Sequence, residues 1–265
     1  MSQLPTWAEH PGHDKTAPLT GPGRGPEPAV AEWLTNLQRR SDKPLRILDV
    51  GAGRGDLVAW LCSNGFEHSY GVEPNLQYVA NSQSYFGGVG LGRDRIQPFL
   101  ANGKYPYEDG SFDVVHSNQV VEHVEDIDAF CEEISRVTRR GGEGLHIFPA
   151  KWEPIEGHMH MPLAHWFPKG RVRRTWIKFA LWTGQAAPYF SDLDLDDRTE
   201  VFHRFSGDET FYRTGRAFSQ ALATYGMDSD RRSIVRAKLR HHGFPPILAP
   251  AFAAFREAYV TTRKR

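Results

Sequence analysis

The 265 residues carry 32 Lys and Arg against 32 Asp and Glu, so the formal charge is zero before the 12 His are counted. That length suits one medium-sized domain with an insertion or two small ones, and 40% hydrophobic with 24% charged residues excludes a mainly disordered chain. Zero net charge argues against a dedicated nucleic-acid binder, which carries a basic excess.

Residues 1–28 contain six prolines and four glycines, which make a poor helix or strand. They read as a flexible tail, with Trp7 as a docking anchor. From Pro28 the pattern turns helical over 28–40, through Val30, Trp33, Leu34 and Leu37. The apolar run 45–50 predicts a buried strand ending in glycines. Helices are predicted over 56–64, 75–84 and 127–138, and further strands over 69–73, 95–100, 112–117 and 144–148. Strand and helix alternate, which calls for βαβ units and a parallel sheet covered on both faces.

The rhythm breaks after Pro149. Residues 151–213 hold four of the seven tryptophans, between 152 and 182, and read as a cap beside the active cleft. A helix over 215–225 and closing strands over 229–235 and 259–263 follow. The expected organisation is a tail at 1–28, a binding core at 29–150, the cap at 151–213 and completion of the core at 214–265. Cys62 and Cys131 are too few for a disulfide framework or a cysteine zinc site, and read as buried small hydrophobes. No stretch reaches the length of a membrane span and no signal-peptide layout opens the chain, so a cytoplasmic location is expected.

The strongest chemical signal is Asp49-Val50-Gly51-Ala52-Gly53-Arg54-Gly55, at the end of the first strand. Its glycines allow a tight turn and close approach of a ligand to the backbone. Glu73 ends the second strand, where a carboxylate accepts hydrogen bonds from ribose hydroxyls. A dinucleotide fingerprint needs a third glycine where Asp56 stands. The carboxylate of Asp49 repels a pyrophosphate but suits an ammonium and a sulfonium, so the loop favours S-adenosylmethionine over a nicotinamide dinucleotide.

At these residues the chain resembles the class I S-adenosylmethionine-dependent methyltransferases. The matching blocks are ILDVGAGRGDLVAWL (47–61), YGVEP (70–74), YPYEDGSFDVVHSNQVVEHVED (105–126) and GLHIFPA (144–150). The resemblance implies a doubly wound α/β fold: a mostly parallel, seven-stranded Rossmann-like sheet with helices on both faces and a cap after the fifth strand. It also implies roles. Gly51 and Gly53 pass the methionine end of S-adenosylmethionine, Asp49 holds its ammonium and Glu73 binds the ribose. Pro74 and Phe99 contact the adenine faces. Asn102 offers an amide to the adenine, because Ala101 stands where the family often has Asp. Ser117, Asn118 and Gln119 line the end where the methyl group faces the acceptor.

Glu122 and His123 are expected one turn into a helix beginning near Gln119, with His123 either a base or a packing residue bonded to a backbone carbonyl. The segment 153–166 then offers three His and two Glu on the cofactor side of the sheet. Methyl transfer to an alcohol needs alignment and proton removal. His158 is the first candidate base, with His160 and His165 in reserve. The alternative is that His158 and His160, on one strand face, hold a metal with Glu153 or Glu156; no metal is assigned on sequence. In 169–182, Val172, Trp176 and Phe179 share a helical stripe beside Arg171, Arg174 and Lys178. This reads as a core-packed helix with a basic face, or as a peripheral membrane contact. The acidic run 192–197 is a candidate partner for those cations.

The function expected is S-adenosylmethionine-dependent O-methylation of a small molecule, with a glycan or lipid-linked sugar hydroxyl as acceptor. Transfer to an aromatic natural product or an amine, and a non-catalytic S-adenosylmethionine-binding module, stay open as alternatives.

Overall fold

The computed structural model describes residues 4–9 and 19–265, so the tail expected over 1–28 lies partly outside the described residues. The core opens with α1 (Pro28–Arg39), where Pro28 presets the first turn and Ala29, Val30, Leu34 and Leu37 are buried. Then come β1 (Ile47–Val50), α2 (Asp56–Ser63), β2 (Ser69–Glu73), α3 (Leu76–Gly88), β3 (Ile96–Pro98), β4 (Phe112–Asn118), α4 (Ile127–Val137) and β5 (Thr138–Pro149). Of these, α3 and α4 start on side-chain caps. Asn75 Oδ1 accepts from the N–H groups of Gln77 and Tyr78, and Asp126 Oδ1 from that of Ala129.

The 151–213 segment, expected to be a cap and called so below, carries a short hairpin of β6 (Ile155–Glu156) and β7 (Met161–Pro162), then α5 (Arg171–Trp182) and α6 (Leu195–Arg204). The chain closes with α7 (Gly215–Thr224), β8 (Met227–Asp230), α8 (Ser233–His241), α9 (Ala249–Phe255) and β9 (Glu257–Lys264). The main sheet has seven strands in the order β3-β2-β1-β4-β5-β9-β8, with β9 alone running against the other six. This is the mostly parallel, doubly wound sheet expected.

Alternation along the strands feeds two cores. Leu48, Val50 and Val115 face α4 and α7, packing with Ile134, Phe218 and Leu222. Ile47, Val114 and Leu145 face the other way, toward Leu34, Val235 and Leu239. Each fully buried Leu or Phe removes enough apolar surface from water to contribute roughly 1.5–3 kcal/mol. The cap has its own core of Met159, Met161, Ile177, Leu181, Phe202 and Phe205. Trp7 belongs to it: 2% exposed, it stacks on Phe205 at 4.2 Å and meets Phe202 edge-on at 5.0 Å.

Three expectations are corrected. The strand over 229–235 stops at Asp230, whose carboxylate accepts from the N–H groups of Arg232 and Ser233. That turn ends the strand and starts α8, which buries Ile234, Val235 and Leu239 at helical spacing. Glu122 and His123 lie in a 3-10 turn (Val121–His123), not a helix. In α5 the buried residues are Arg173, Ile177, Ala180 and Leu181, so Val172 and Phe179 face outward. Arg174 and Lys178 pair with Glu200 and Asp196, which neutralises much of the expected basic face.

Candidate active site

Register brings one end of the sheet together. Val50 lies opposite Val72 and Ser117, so Gly51, Glu73 and Asn118 leave their strands side by side. Gly51 and Gly53 have φ of 72° and 54°, where a side chain is strained. A Cβ on Gly51 would meet Val120 at 2.4 Å, whereas Gly53 opens onto empty space. The Gly53 N–H donates to Glu73 Oε2 at 2.8 Å, and the Asn75 N–H donates to Oε1 at 2.9 Å. These two bonds fix the carboxylate at the end of β2, against the glycine loop.

The loop floors a cleft of about 590 Å³, whose walls include Asp49, His116, Asn118, Gln119 and Tyr78. Residues Arg24 to Glu27 line its far side. Asp49 Oδ1 is 2.8 Å from His116 Nδ1, and both residues are buried. The expected cofactor fits this cleft, with glycine backbone beside open space and the Asp49 carboxylate at the loop root; Glu73, the candidate for the ribose, is not one of its walls but is held next to it by the Gly53 N–H.

A second group sits where the cap meets the turn after β4. Glu122 is 1% exposed, and neither carboxylate oxygen has a hydrogen-bond partner among the described residues. Burial pushes its carboxyl up to about 7. His123 Nδ1 donates to the Glu209 carbonyl at 3.0 Å. His158 Nδ1 is 3.0 Å from Glu156 Oε1, which can only accept, so the proton sits on Nδ1. The two imidazoles meet edge-on at 5.0 Å. Burial alone would raise the Glu156 carboxyl. His158, the Tyr212 hydroxyl and the Met159 N–H, at 2.6 Å, outweigh it and hold it below the usual carboxylate range. One ligand atom each from Glu122, His123 and His158 lies within 4.8 Å of the other two.

Of His158, His160 and His165 only His158 joins this group, next to His123. His160 has φ of 49°, is exposed and lies beside Tyr189, so the shared strand face with His158 is not formed; residues 157–160 are a turn. His165 is buried against Tyr212 and lines a separate cleft with Lys151, Lys169, Arg173 and Arg213. Burial pushes its pKa down to about 4, so it is neutral at ordinary pH. The suggested metal partner Glu153 instead faces Arg256 at 3.5 Å, and Glu156 is spent orienting His158.

Among the candidate cofactor residues, Asp49, Gly51, Gly53, Asn118 and Gln119 line the cleft. Gln119 holds φ of 57°, pinned by its N–H to the Ile147 carbonyl at 2.9 Å. Ser117 does not line the cleft: it is fully buried, with its hydroxyl 2.8 Å from His146 Nδ1. Pro74 is exposed after β2, and Asn102 turns its amide oxygen to the Lys104 N–H at 3.1 Å. His116, Glu156 as an orienting group and Tyr212 were not singled out from sequence. The partners of His116 and Tyr212 are 54 to 67 residues away, where no local spacing reveals them, and Glu156, two residues from His158, was read only as a metal partner.

Residues 48–145 match the family described as "Methyltransferase domain". An uncharacterized methyltransferase of Mycobacterium sp. (strain JLS) is 35% identical over 128 residues, covering 48% of this chain and 47% of the relative. The chain thus spans about half the length of the curated relatives it matches. A Galdieria sulphuraria structure, described as a candidate sarcosine dimethylglycine methyltransferase, is similar over 96% of this chain and 94% of its own, with TM-score 0.51 and 16% identity. Phosphoethanolamine N-methyltransferase 2 of Haemonchus contortus, in complex with S-adenosyl-L-methionine, is similar over 89% of this chain and 53% of its own, with TM-score 0.51 and 14% identity.

Proposed function

Because residues 48–145 form a methyltransferase domain of the class I, S-adenosylmethionine-dependent type, we propose that the protein methylates a hydroxyl of a small-molecule acceptor, a sugar hydroxyl first among them. Bound S-adenosylmethionine supplies an activated methyl group. The glycine loop and Asp49 receive its methionine end, Glu73 its ribose, and Pro74 and Asn102 the rim of its adenine. Asn118 and Gln119 border the place where the acceptor meets the methyl group.

The observation that carries this reading is the His158 group. A hydroxyl is a weak nucleophile until its proton is drawn away. His158 is the side chain that activates it, oriented by Glu156, whose negative charge is fixed by Tyr212 and the Met159 N–H. Transfer to a neutral amine uses a lone pair already present and leaves the Glu156–His158 pair without a task. The pair therefore favours oxygen over nitrogen as the acceptor atom.

The test is methyl transfer from labelled S-adenosylmethionine to a panel of sugar and other alkyl hydroxyls. His158→Ala is expected to lower kcat by about 10²–10⁴-fold while leaving S-adenosylhomocysteine affinity unchanged. Wild-type turnover by His158→Ala, or label recovered only on nitrogen or carbon, overturns the proposal.

A further inference from the structure

Glu122 is a buried carboxylate beside two imidazoles, yet it makes no hydrogen bond among the described residues. Leaving such a group unsatisfied costs free energy unless something in the site answers it. We propose that Glu122, His123 and His158 hold one divalent transition-metal ion of the zinc class, and that the acceptor hydroxyl takes the open position on it. This rests on the hydroxyl-transfer reading and deepens it.

The donor set fits. Two imidazole nitrogens and one carboxylate oxygen form a common catalytic zinc set, which keeps a position open for water or substrate. The orienting contacts fit as well. A ligating histidine generally donates its other N–H to a carboxylate or a carbonyl. His158 Nδ1 donates to Glu156 and His123 Nδ1 to the Glu209 carbonyl, so Nε2 would ligate in both. Ligand atoms around one zinc ion are about 3.3 Å apart, from metal–ligand distances of about 2.0–2.1 Å. The present separations of up to 4.8 Å close to that with side-chain shifts of about an ångström.

Glu122 and His123 come from the turn after β4 and His158 from the cap, so the ion would also tie cap to core. In the reaction, the acceptor hydroxyl on the open position gives its proton to solvent. Its oxygen forms the C–O bond as the methyl–sulfur bond breaks, and that bond's electron pair stays on sulfur. His158 then activates the hydroxyl as a ligand rather than by taking the proton itself.

The experiment uses the full chain, stripped by chelator and titrated with Zn²⁺ by calorimetry and with Co²⁺ by its visible absorption. Stoichiometric binding, with Co²⁺ bands of low-coordinate geometry, is expected. Removing an orienting partner typically costs about 10–100-fold in metal affinity, and Glu122→Gln, which removes a ligand, should cost at least that. Thermal unfolding shows that the variant folds, and His123→Gln gives an independent second ligand test. Stripped protein should keep its S-adenosylhomocysteine affinity and lose hydroxyl methylation until Zn²⁺ returns. No saturable binding, or affinity unchanged in both variants, overturns the cation site. Full hydroxyl methylation by metal-free protein overturns it too, and leaves the hydroxyl reading standing. Zn²⁺ held by these ligands in a protein that methylates only nitrogen or carbon supports the site and defeats the hydroxyl reading.

Discussion

Glu73 serves two neighbours at once. Its carboxylate fixes the glycine loop through the Gly53 N–H and the start of α3 through the Asn75 N–H, beside the cleft that the loop floors. Glu73→Ala therefore removes a ligand contact and loosens the loop, and should weaken cofactor binding at least about tenfold, or 1.4 kcal/mol. His146 gives a pH signature. Burial in the sheet, between Ser117 and Phe218, pushes its pKa down to about 3, and burial takes His165 to about 4. Both fall below the value of about 6.5 in an unfolded chain, so unfolding takes up protons. Their contribution to stability is complete above about pH 6.5 and is lost as pH falls toward 3–4. The urea midpoint should drop between about pH 7.5 and about pH 5, and less steeply in His146→Gln; a flat midpoint would refute this. At this scale the meeting of Gly51, Gly53 and Glu73, the candidate cofactor residues, was legible because they lie at predicted strand ends. Glu122 was visible only as half of a Glu-His pair. Its burial beside His158 depends on the cap folding over it.

The cap shows how far periodicity reaches. The helix at 169–182 was legible, but its inward face was not, because that face is set by α6 and by the guanidinium of Arg173. The guanidinium is buried and donates to the Phe167 and Ser206 carbonyls. Hydropathy alone assigns such an Arg to solvent. Trp7 was legible as an anchor because it is a lone aromatic in a proline-rich stretch. It fills the cap core against Phe202 and Phe205. Trp7→Ala should cost about 3–5 kcal/mol of cap stability and speed hydrogen exchange in α6. Unchanged exchange would show that the tail segment does not support the cap. The missed helix at α8 has an equally local cause: the Asp230 turn looks, in sequence, like polar residues inside a strand.

Across the whole molecule, zero net charge averages unlike parts. Asp49 places negative charge in the first cleft and Glu73 beside its glycine loop, while Lys151, Lys169, Arg173 and Arg213 surround the second cleft, within the cap. The sheet order was legible because parallel strands linked by helices admit few arrangements. The meeting of cap and core was not, since it joins residues from the turn after β4, the β6–β7 connection and the approach to α7. Cofactor binding and acceptor activation are separated by one binding measurement, calorimetric titration of S-adenosylhomocysteine into wild type, Glu73→Ala and His158→Ala. Saturable binding to wild type is predicted, weakened at least about tenfold by Glu73→Ala and unchanged by His158→Ala. No binding to wild type, or equal affinity in Glu73→Ala, would contradict the assignment of the cleft.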